Sequence, residues 1–250
     1  IDHIQRGRID FSRLQMLVLD EADRMLDMGF IDDVETIASA TPATRQTVLF
    51  SATLDNAIDK VAAKLLKTPK RIQVASSKAK LDNIEQRLHY ADDMSHKNRL
   101  LDHVLRDETL KQAIIFTATK RDADTLADNL YAQGIAAAAL HGDMNQRERN
   151  RTLTRLRSGG LRVLVATDVA ARGIDVAAIT HVINFDLPKF AEDYVHRIGR
   201  TGRAGASGIA VSFASVKDSA HLSKIERYTG QRITSHIIPG LEPRIKPRFQ

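Results

Sequence analysis

Two adjacent carboxylates near the start of the chain have the type and spacing for hydrolytic chemistry. Asp20 and Glu21 directly follow the apolar run Met16–Leu19, which predicts a buried parallel strand that carries both acids to a sheet edge. Open α/β sheets bind their ligands at such an edge. One acid can then hold Mg²⁺ while its neighbour orients or deprotonates an attacking water. The alternative is that Glu21 and Asp23 only begin a helix, where acids are stabilised by the helix dipole.

Hydroxyl side chains follow other strand-like runs. Gln46–Phe50 is followed by Ser51 and Thr53, whose hydroxyls can bond carboxylates or phosphates. The alternative, which these residues favour when taken alone, is that Thr53 or Asp55 caps a helix at Asn56–Leu66. Later runs are followed by hydroxyls, glycines and bases, which suit a sugar-phosphate backbone. The residues after those runs include Thr119, Lys120, His141, Thr167 and Asp168.

The densest basic stretch is His196–Gly205, in which Arg197, Arg200 and Arg203 alternate with glycines. Arginine presents a planar, permanently charged fork to phosphate, and glycine lets the backbone approach closely. The three-residue spacing would place the arginines near one face of a helix, but the glycines predict that any helix frays there. Arginines aimed across a cleft at a nucleotide would act as arginine fingers. An accidental basic turn is the alternative.

Alternating strand-like and helix-like stretches have to position these groups. This rhythm predicts an α/β fold of parallel βαβ units with helices on both faces of the sheet. Ser95 is expected to cap one helix, and Asn145 and Glu148 are expected to form a capping box at another. The expected strands of this region are Ala113–Phe116, Ile135–Leu140, Val163–Ala166, His181–Phe185 and Ile209–Phe213.

The same pattern predicts the division of the chain. Residues 1–74 are expected to form one α/β part, which a strand at Arg71–Val74 closes. Residues 75–86 are small and polar without periodicity, which favours a linker. Residues 87–228 are expected to form a complete domain, and residues 229–250 a mobile basic tail that contains prolines.

Composition excludes several classes of protein. With 43% hydrophobic and 27% charged residues among 250, the chain can bury a full core. The absence of cysteine excludes disulfides and thiolate metal sites. No apolar run approaches the roughly 20 residues of a membrane helix, and the N-terminus has no signal-peptide pattern. We therefore expect a cytoplasmic protein without membrane contact.

The net charge of +6 is unevenly divided. Residues 1–75 carry 10 Lys and Arg against 11 Asp and Glu, which gives −1, whereas residues 76–250 carry 27 against 20, which gives +7. A basic excess is expected in a part that contacts phosphates. It can equally serve only to keep a protein in solution.

Five groups of residues resemble, in order, the later motifs of DEAD-box RNA helicases, and the resemblance extends from residue 1 to about residue 228. The groups are Asp20–Asp23, Ser51–Thr53, Gln146–Arg149, Ala166–Asp175 and His196–Arg203. In that family, two RecA-like domains close on ATP and single-stranded RNA and bend the strand, so that a short duplex separates. The resemblance implies RecA-like parallel sheets flanked by helices, with a partial first domain and a complete second one. It also implies ATP, Mg²⁺ and RNA as ligands.

The resemblance implies a role for each matching position in the nucleotide site. Asp20 corresponds to the Mg²⁺ ligand and Glu21 to the residue that activates water. Arg200 and Arg203 correspond to the arginine fingers. The positions that match the family's contact to the ATP ribose are Gly173 and Asp175.

Further positions resemble the family's coupling and RNA-binding residues. Ser51 and Thr53 correspond to the motif that couples hydrolysis to unwinding, in contact with Asp23 and with His196 of the other domain. The positions that match contacts to RNA phosphates and riboses are Thr119, Gln146, Arg149 and Thr167.

One departure from the family pattern limits the functional interpretation. No glycine in the chain is followed by lysine, so the phosphate-binding loop Gly-x-x-x-x-Gly-Lys-Ser/Thr is missing from this sequence. The chain is therefore expected to begin inside the first RecA-like domain and to be inactive alone, although the resemblance implies that the intact protein is an enzyme. We also expect a monomer. An RNA-binding module without ATPase activity and a DNA-directed helicase stay open as alternatives.

Overall fold

The structure is a computed structural model, and it describes residues 1–51, 56–73, 81–171, 174, 176, 178–203 and 205–245. The chain divides into two compact units, Ile1–Ala75 and Ser76–Gln250. Each described helix is too short or too polar to form a membrane span.

The first unit contains two parallel strands with helices packed against them. Strands β1 and β2 pair in register, with Leu19 opposite Leu49. Leu19 packs in a small core with residues of the two longer helices, such as Val34 and Val61. Its elements are α1 (Asp2–Gln5), β1 (Met16–Leu19), α2 (Ala22–Asp27), α3 (Ile31–Ser39), β2 (Gln46–Leu49) and α4 (Asn56–Leu65).

The strand predicted at Arg71–Val74 is wrong for its described part. Residues 71–73 form no strand, and Val74 lies outside the described residues. Ile72 is 77% exposed, so no buried contact holds this segment in a sheet. Arg71 instead donates to Asp59 Oδ1 at 3.1 Å.

The second unit is a parallel sheet of the strand order β5-β6-β4-β7-β8-β3-β9. Every strand pairing in it is parallel, which confirms the predicted fold. Its strands are β3 (Ile84–Tyr90), β4 (Gln112–Phe116), β5 (Ala137–Leu140), β6 (Val163–Ala166), β7 (Ile179–Asn184), β8 (Gly208–Ala214) and β9 (Thr234–Ser235). Its helices are α5 (Met94–Val104), α6 (Lys120–Ala132), α7 (Gln146–Arg157), α8 (Asp168–Ala171), α9 (Ala191–Ile198) and α10 (Ser219–Thr229).

Helices cover both faces of this sheet. Successive residues of a strand point to opposite faces. On one face, Ile114 and Phe116 of β4 pack in a core that includes Tyr194 of α9. On the other face, Ala113 and Ile115 pack in a core with residues of α5 and α6. The sheet is therefore buried from both sides, as expected for parallel strands.

Two predicted boundaries of the second unit differ from the structure. Strand β3 begins at Ile84, inside the segment 75–86 that was predicted as a linker. The start of the strand was missed because its second and third residues, Glu85 and Gln86, are both polar. The segment 229–250 predicted as a mobile tail includes β9, which pairs with β3. Ile233 of this segment is buried, so apolar packing holds it against the unit.

Candidate functional site

The end of β1 places the two acids beside β2. The Phe50 N–H donates to Leu19 O at 2.8 Å, and Phe50 O accepts the Ala22 N–H at 3.0 Å. These bonds extend the pairing of the two strands past their last residues. Asp20 and Glu21 lie between Leu19 and Ala22, at the strand end that the apolar run predicted. The strand itself is not buried as predicted, because Met16 and Val18 are 53% and 51% exposed.

Glu21 has a left-handed backbone conformation, with φ of 53° and ψ of 48°. For a residue with a Cβ atom this conformation costs on the order of 1–3 kcal/mol and is concentrated at functional sites. Glu21 precedes α2, but its side chain makes no capping hydrogen bond. Helix initiation alone therefore does not explain the acid at this position.

The Asp20 side chain offers the chemistry that Mg²⁺ requires. Asp20 is exposed, and its Oδ1 accepts the Glu21 N–H at 2.9 Å. Carboxylate oxygens are the ligands that Mg²⁺ prefers, and one carboxylate is often enough when phosphates and waters complete the shell. The residue therefore fits the ion, and the described residues contain no group of three or more His, Asp or Glu side chains that could hold a metal by themselves.

Ser51 lies beside the acidic segment. Its Oγ accepts the Asp23 N–H at 3.3 Å, while Asp23 Oδ1 accepts the Arg24 N–H at 3.0 Å. The structure thus brings together Asp23 and Ser51, which were expected to contact each other. Thr53, Gly173 and Asp175 lie outside the described residues.

The carboxyl edge of the second sheet gathers the positions predicted to contact RNA. Thr119 follows β4 and is exposed. Its Oγ1 accepts the Asp122 N–H at 3.1 Å and donates to Asp122 Oδ2 at 2.6 Å, so it also caps α6. Thr167 follows β6 at the same edge, where its N–H donates to Leu140 O at 3.3 Å.

The first turn of α7 carries Gln146 and Arg149. Asn145 and Glu148 form the predicted capping box, which fixes the start of the helix. Arg149 donates to Ala170 O at 2.6 Å, so its side chain extends toward the segment after β6. Gln146 Nε2 donates to Asn150 Oδ1 at 2.9 Å and the residue is exposed.

Arg197 differs from the other arginines of the basic stretch because it is only 2% exposed. Its Nε and Nη2 donate to the two carboxylate oxygens of Asp168 at 2.5 and 2.8 Å. Its Nη1 donates to Asn184 Oδ1 at 3.0 Å and to Asp186 O at 2.6 Å, and its guanidinium lies 4.8 Å from the centre of the Phe116 ring. Arg197 therefore ties α9 to the sheet.

Arg200 and Arg203 lie past the end of the helix. Helix α9 ends at Ile198 and Gly199 is its C-cap, so the three arginines do not share a helix face. Arg200 donates to His196 O at 3.1 Å and to Ile174 O at 2.8 Å. Arg203 donates to Gly199 O at 2.9 Å. Both arginines and His196 are half-buried.

Asp186, which no sequence motif singled out, organises this edge. Its Oδ1 accepts Lys97 Nζ at 2.8 Å and its Oδ2 accepts the Ala118 N–H at 2.9 Å, while its carbonyl accepts from Arg197. Its position directly after a predicted strand was the available signal. A single acid there carries no motif, so the pattern gave no reason to select it.

The chain matches two helicase families. Residues 1–61 match the DEAD/DEAH box helicase family, and residues 96–205 match the helicase conserved C-terminal domain. ATP-dependent RNA helicase SrmB of Haemophilus influenzae is 44% identical over 248 residues, which cover 99% of this chain and 56% of that protein. ATP-dependent RNA helicase DeaD of Mycobacterium tuberculosis is 47% identical over 242 residues, 97% of this chain and 42% of that protein. The chain thus spans about half the length of these curated relatives.

Solved structures of similar proteins give the same result. Escherichia coli DEAD-box protein SrmB, bound to regulator of ribonuclease activity A, is 41% identical with a TM-score of 0.64 and matches over 67% of this chain and 98% of that one. Saccharomyces cerevisiae Dbp5, bound to RNA and ADP BeF3, is 35% identical with a TM-score of 0.83, over 95% of this chain and 62% of that one. The RecA-like fold is confirmed by these similarities. The chain belongs to the DEAD-box family of RNA helicases.

Proposed function

We propose that the intact protein is an ATP-dependent RNA helicase that couples ATP binding and hydrolysis to RNA strand separation or to remodelling of RNA–protein complexes. The observation that carries this proposal is the hydrogen bond from the Asp23 N–H to Ser51 Oγ. It joins the acidic segment, where hydrolysis would occur, to the segment that corresponds to the coupling motif. The chain's similarity to proteins named ATP-dependent RNA helicases supports RNA over DNA as the nucleic acid.

In the nucleotide site, each side chain has a task that its chemistry can perform. Asp20 would hold Mg²⁺ through a carboxylate oxygen, and Glu21 would orient the attacking water and accept its proton. Arg200 and Arg203 would donate to phosphate oxygens. ATP would supply the phosphoryl group, and bound Mg²⁺ would neutralise part of its charge. The residues proposed to contact the ATP ribose are Gly173 and Asp175.

RNA binding would use the carboxyl edge of the second sheet. Hydroxyl, amide and guanidinium donors suit the phosphate and ribose oxygens of a single strand. The exposure of Thr119 and Gln146 supports this assignment. The proposed RNA contacts are Thr119, Gln146, Arg149 and Thr167.

Coupling between hydrolysis and RNA would use the acidic segment together with Ser51, Thr53 and His196. A change in the position of Asp23 on hydrolysis would be transmitted to Ser51 through their hydrogen bond. We assign the same role to Thr53 and His196. Residues 1–74 would form the C-terminal part of the first RecA-like domain and residues 87–228 most of the second, in a cytoplasmic monomer.

The test is the ATPase activity of the full-length protein with Mg²⁺, measured with single-stranded RNA and with DNA of the same sequence. We expect RNA to stimulate turnover more than DNA. Glu21→Gln, Arg200→Ala and Arg203→Ala should each lower turnover by about 10³-fold or more while RNA binding is retained, because Glu21 would act on the attacking water and the arginines on the reacting phosphate.

Arg157→Ala is the matched control, because Arg157 is an exposed arginine at the end of α7. Its turnover should equal that of the unchanged protein. Stronger stimulation by DNA would refute the choice of RNA. Unchanged turnover in Glu21→Gln would refute the hydrolytic role of the acidic segment.

A further inference from the structure

Strand β5 forms one end of the sheet of the second unit. Among the described strands it pairs only with β6. The free edge of a strand presents backbone N–H and C=O groups, to which an extended segment of another chain can add. This edge belongs neither to the nucleotide site nor to the proposed RNA contacts, so its use goes beyond the proposed function.

The hydrogen bonds of β5 show which residues direct their backbone groups outward. The Ala136 carbonyl accepts the N–H groups of Arg162 and Val163 at 2.8 and 3.1 Å, and the Leu140 carbonyl accepts from Thr167 at 3.3 Å. These groups face β6. The backbone groups of successive residues point to opposite sides of a strand. The N–H and C=O groups of Ala137 and Ala139 therefore point away from β6, toward the free edge.

A cleft of about 450 Å³ runs along this edge, with α6 and α7 as its walls. Its floor is formed by three alanines, Ala137–Ala139. Their small side chains leave room beside the strand for the longer side chains of an added segment. Tyr131, which also lines the cleft, is 69% exposed and offers a ring surface for the aliphatic part of such a side chain.

The charge of the cleft is opposite to that of the unit around it. Among the described residues, no Lys or Arg lines the cleft, whereas four carboxylates do, namely Asp124, Asp128, Asp143 and Glu148. Asp143 is paired with Lys120, and residues 76–250 carry a net charge of +7. Asp124 and Asp128 are four residues apart on α6, so they lie on the same face of the helix. A groove of this sign repels RNA phosphates and attracts cationic side chains.

His141 supplies an unsatisfied polar atom at the same cleft. Its side chain is only 10% exposed, and its Nε2 lies 2.8 Å from Asp124 Oδ1. Its Nδ1 is buried and has no hydrogen-bond partner among the described residues. Buried polar atoms normally have a partner, so this histidine is incompletely hydrogen-bonded beside the cleft.

We propose that this cleft binds an extended, Lys- or Arg-rich segment of a partner protein. The segment adds as a strand along β5 through the backbone groups of Ala137 and Ala139. Its cationic side chains lie against Asp124 and Asp128. Strand addition supplies affinity through main-chain hydrogen bonds, and the carboxylates select basic side chains over acidic ones and over RNA.

The charge requirement is tested with the 250-residue chain and a fluorescent peptide in which Lys alternates with Val and Ser, by anisotropy at low salt. The double variant Asp124→Asn/Asp128→Asn should weaken binding about tenfold, because it removes two attractions of the size typical of exposed charge pairs. The control Asp102→Asn/Glu108→Gln removes the same charge from residues outside the cleft and should leave affinity unchanged. The proposal is overturned if the peptide does not bind, if its Glu-containing counterpart binds equally well, or if both double variants behave alike.

The backbone requirement is tested by hydrogen exchange in the unchanged chain. The peptide should protect the amides of Ala137 and Ala139, and single-stranded RNA should leave them exchanging. Ala139→Pro removes one outward N–H at an edge position where proline is tolerated, so it should abolish peptide binding without changing RNA binding. If that variant does not fold, the exchange result in the unchanged chain decides. Protection confined to other amides overturns the proposal.

Discussion

Two arginines of the basic stretch His196–Gly205, three positions apart, have different surroundings. Arg197 is almost fully buried, and its guanidinium is shared among Asp168, Asn184 and Asp186. Arg200 lies past the end of the helix and is half-buried, and it donates to the backbone carbonyls of His196 and Ile174. A charge in the interior requires a complete set of partners, so Arg197 holds the motif against the sheet. The proposed contact of Arg200 with a phosphate stays a prediction.

Removal of the partner of Arg197 should therefore be costly. Asp168→Ala leaves the buried guanidinium without its carboxylate and should lower the free energy of unfolding of the second unit by about 3–5 kcal/mol. Urea unfolding followed by circular dichroism measures this loss. Lys120→Ala is the control, since the Lys120–Asp143 pair is more than half exposed and such pairs contribute less than about 1 kcal/mol. Equal, small losses in both variants would show that Arg197 does not depend on Asp168.

At the scale of elements, the start of β8 packs against the turn that carries Arg200 and Arg203. A Cβ atom at Gly208 would lie 2.5 Å from Thr201 Cγ2 and Oγ1 and 2.6 Å from Gly202 N. Thr201 cannot move away easily, because its Oγ1 lies 2.7 Å from Ile179 O and 2.9 Å from Thr180 O. The turn and the strand are thus held in a contact that only glycine allows.

Gly208→Ala should break this contact. We expect a loss of about 1–3 kcal/mol in the free energy of unfolding, as for other overpacked sites, together with displacement of the turn. Urea unfolding gives the stability, and amide chemical shifts of residues 199–203 report the displacement. In the control Gly142→Ala the nearest atom to the new Cβ is Lys120 Cε at 3.7 Å, an ordinary contact. Identical shifts and stability in both variants would contradict this account.

Elements with strong local signals were predictable from the sequence, and elements that depend on distant partners were not. The apolar runs of β4 and β6 and the capping box of α7 were predicted close to their observed bounds. The cap of α5 was predicted at Ser95, but Asp93 makes it by accepting the His96 N–H. Strand β9 has two residues and is held by its pairing with β3, so no pattern in its own residues reveals it.

The candidate site divides in the same way. The position of Asp20 and Glu21 after a strand followed from the apolar run before them. The left-handed backbone of Glu21 did not, because glutamate has no preference for that conformation and the segment from Leu19 to Ala22 is hydrogen-bonded at both ends to Phe50, on another strand. The roles of the site residues stay predictions that the variants above test.

At the scale of the whole molecule, two buried histidines of the second unit make its stability depend on pH. His181 is 1% exposed, and burial lowers its pKa. Burial also lowers the pKa of His89, whose Nδ1 lies 2.8 Å from His236 O. Both histidines line a second cleft, which is separate from the cleft along β5. The other ionisable groups that line it are Glu85, Arg87, His103, Arg106, Asp107 and His236.

Acidification should therefore destabilise the second unit while its carboxylates are still charged. A histidine whose pKa is lower in the folded state than the unfolded value of about 6.5 binds its proton more readily after unfolding, so stability is complete above about pH 7 and falls as the pH decreases toward 5. The Tm, measured at steps across this range, should decline, and His181→Gln should reduce the decline. The control His221→Gln changes a histidine outside this cleft and should keep the full slope. A Tm that does not change between pH 7 and 5 would show that neither buried histidine is held in its neutral form by folding.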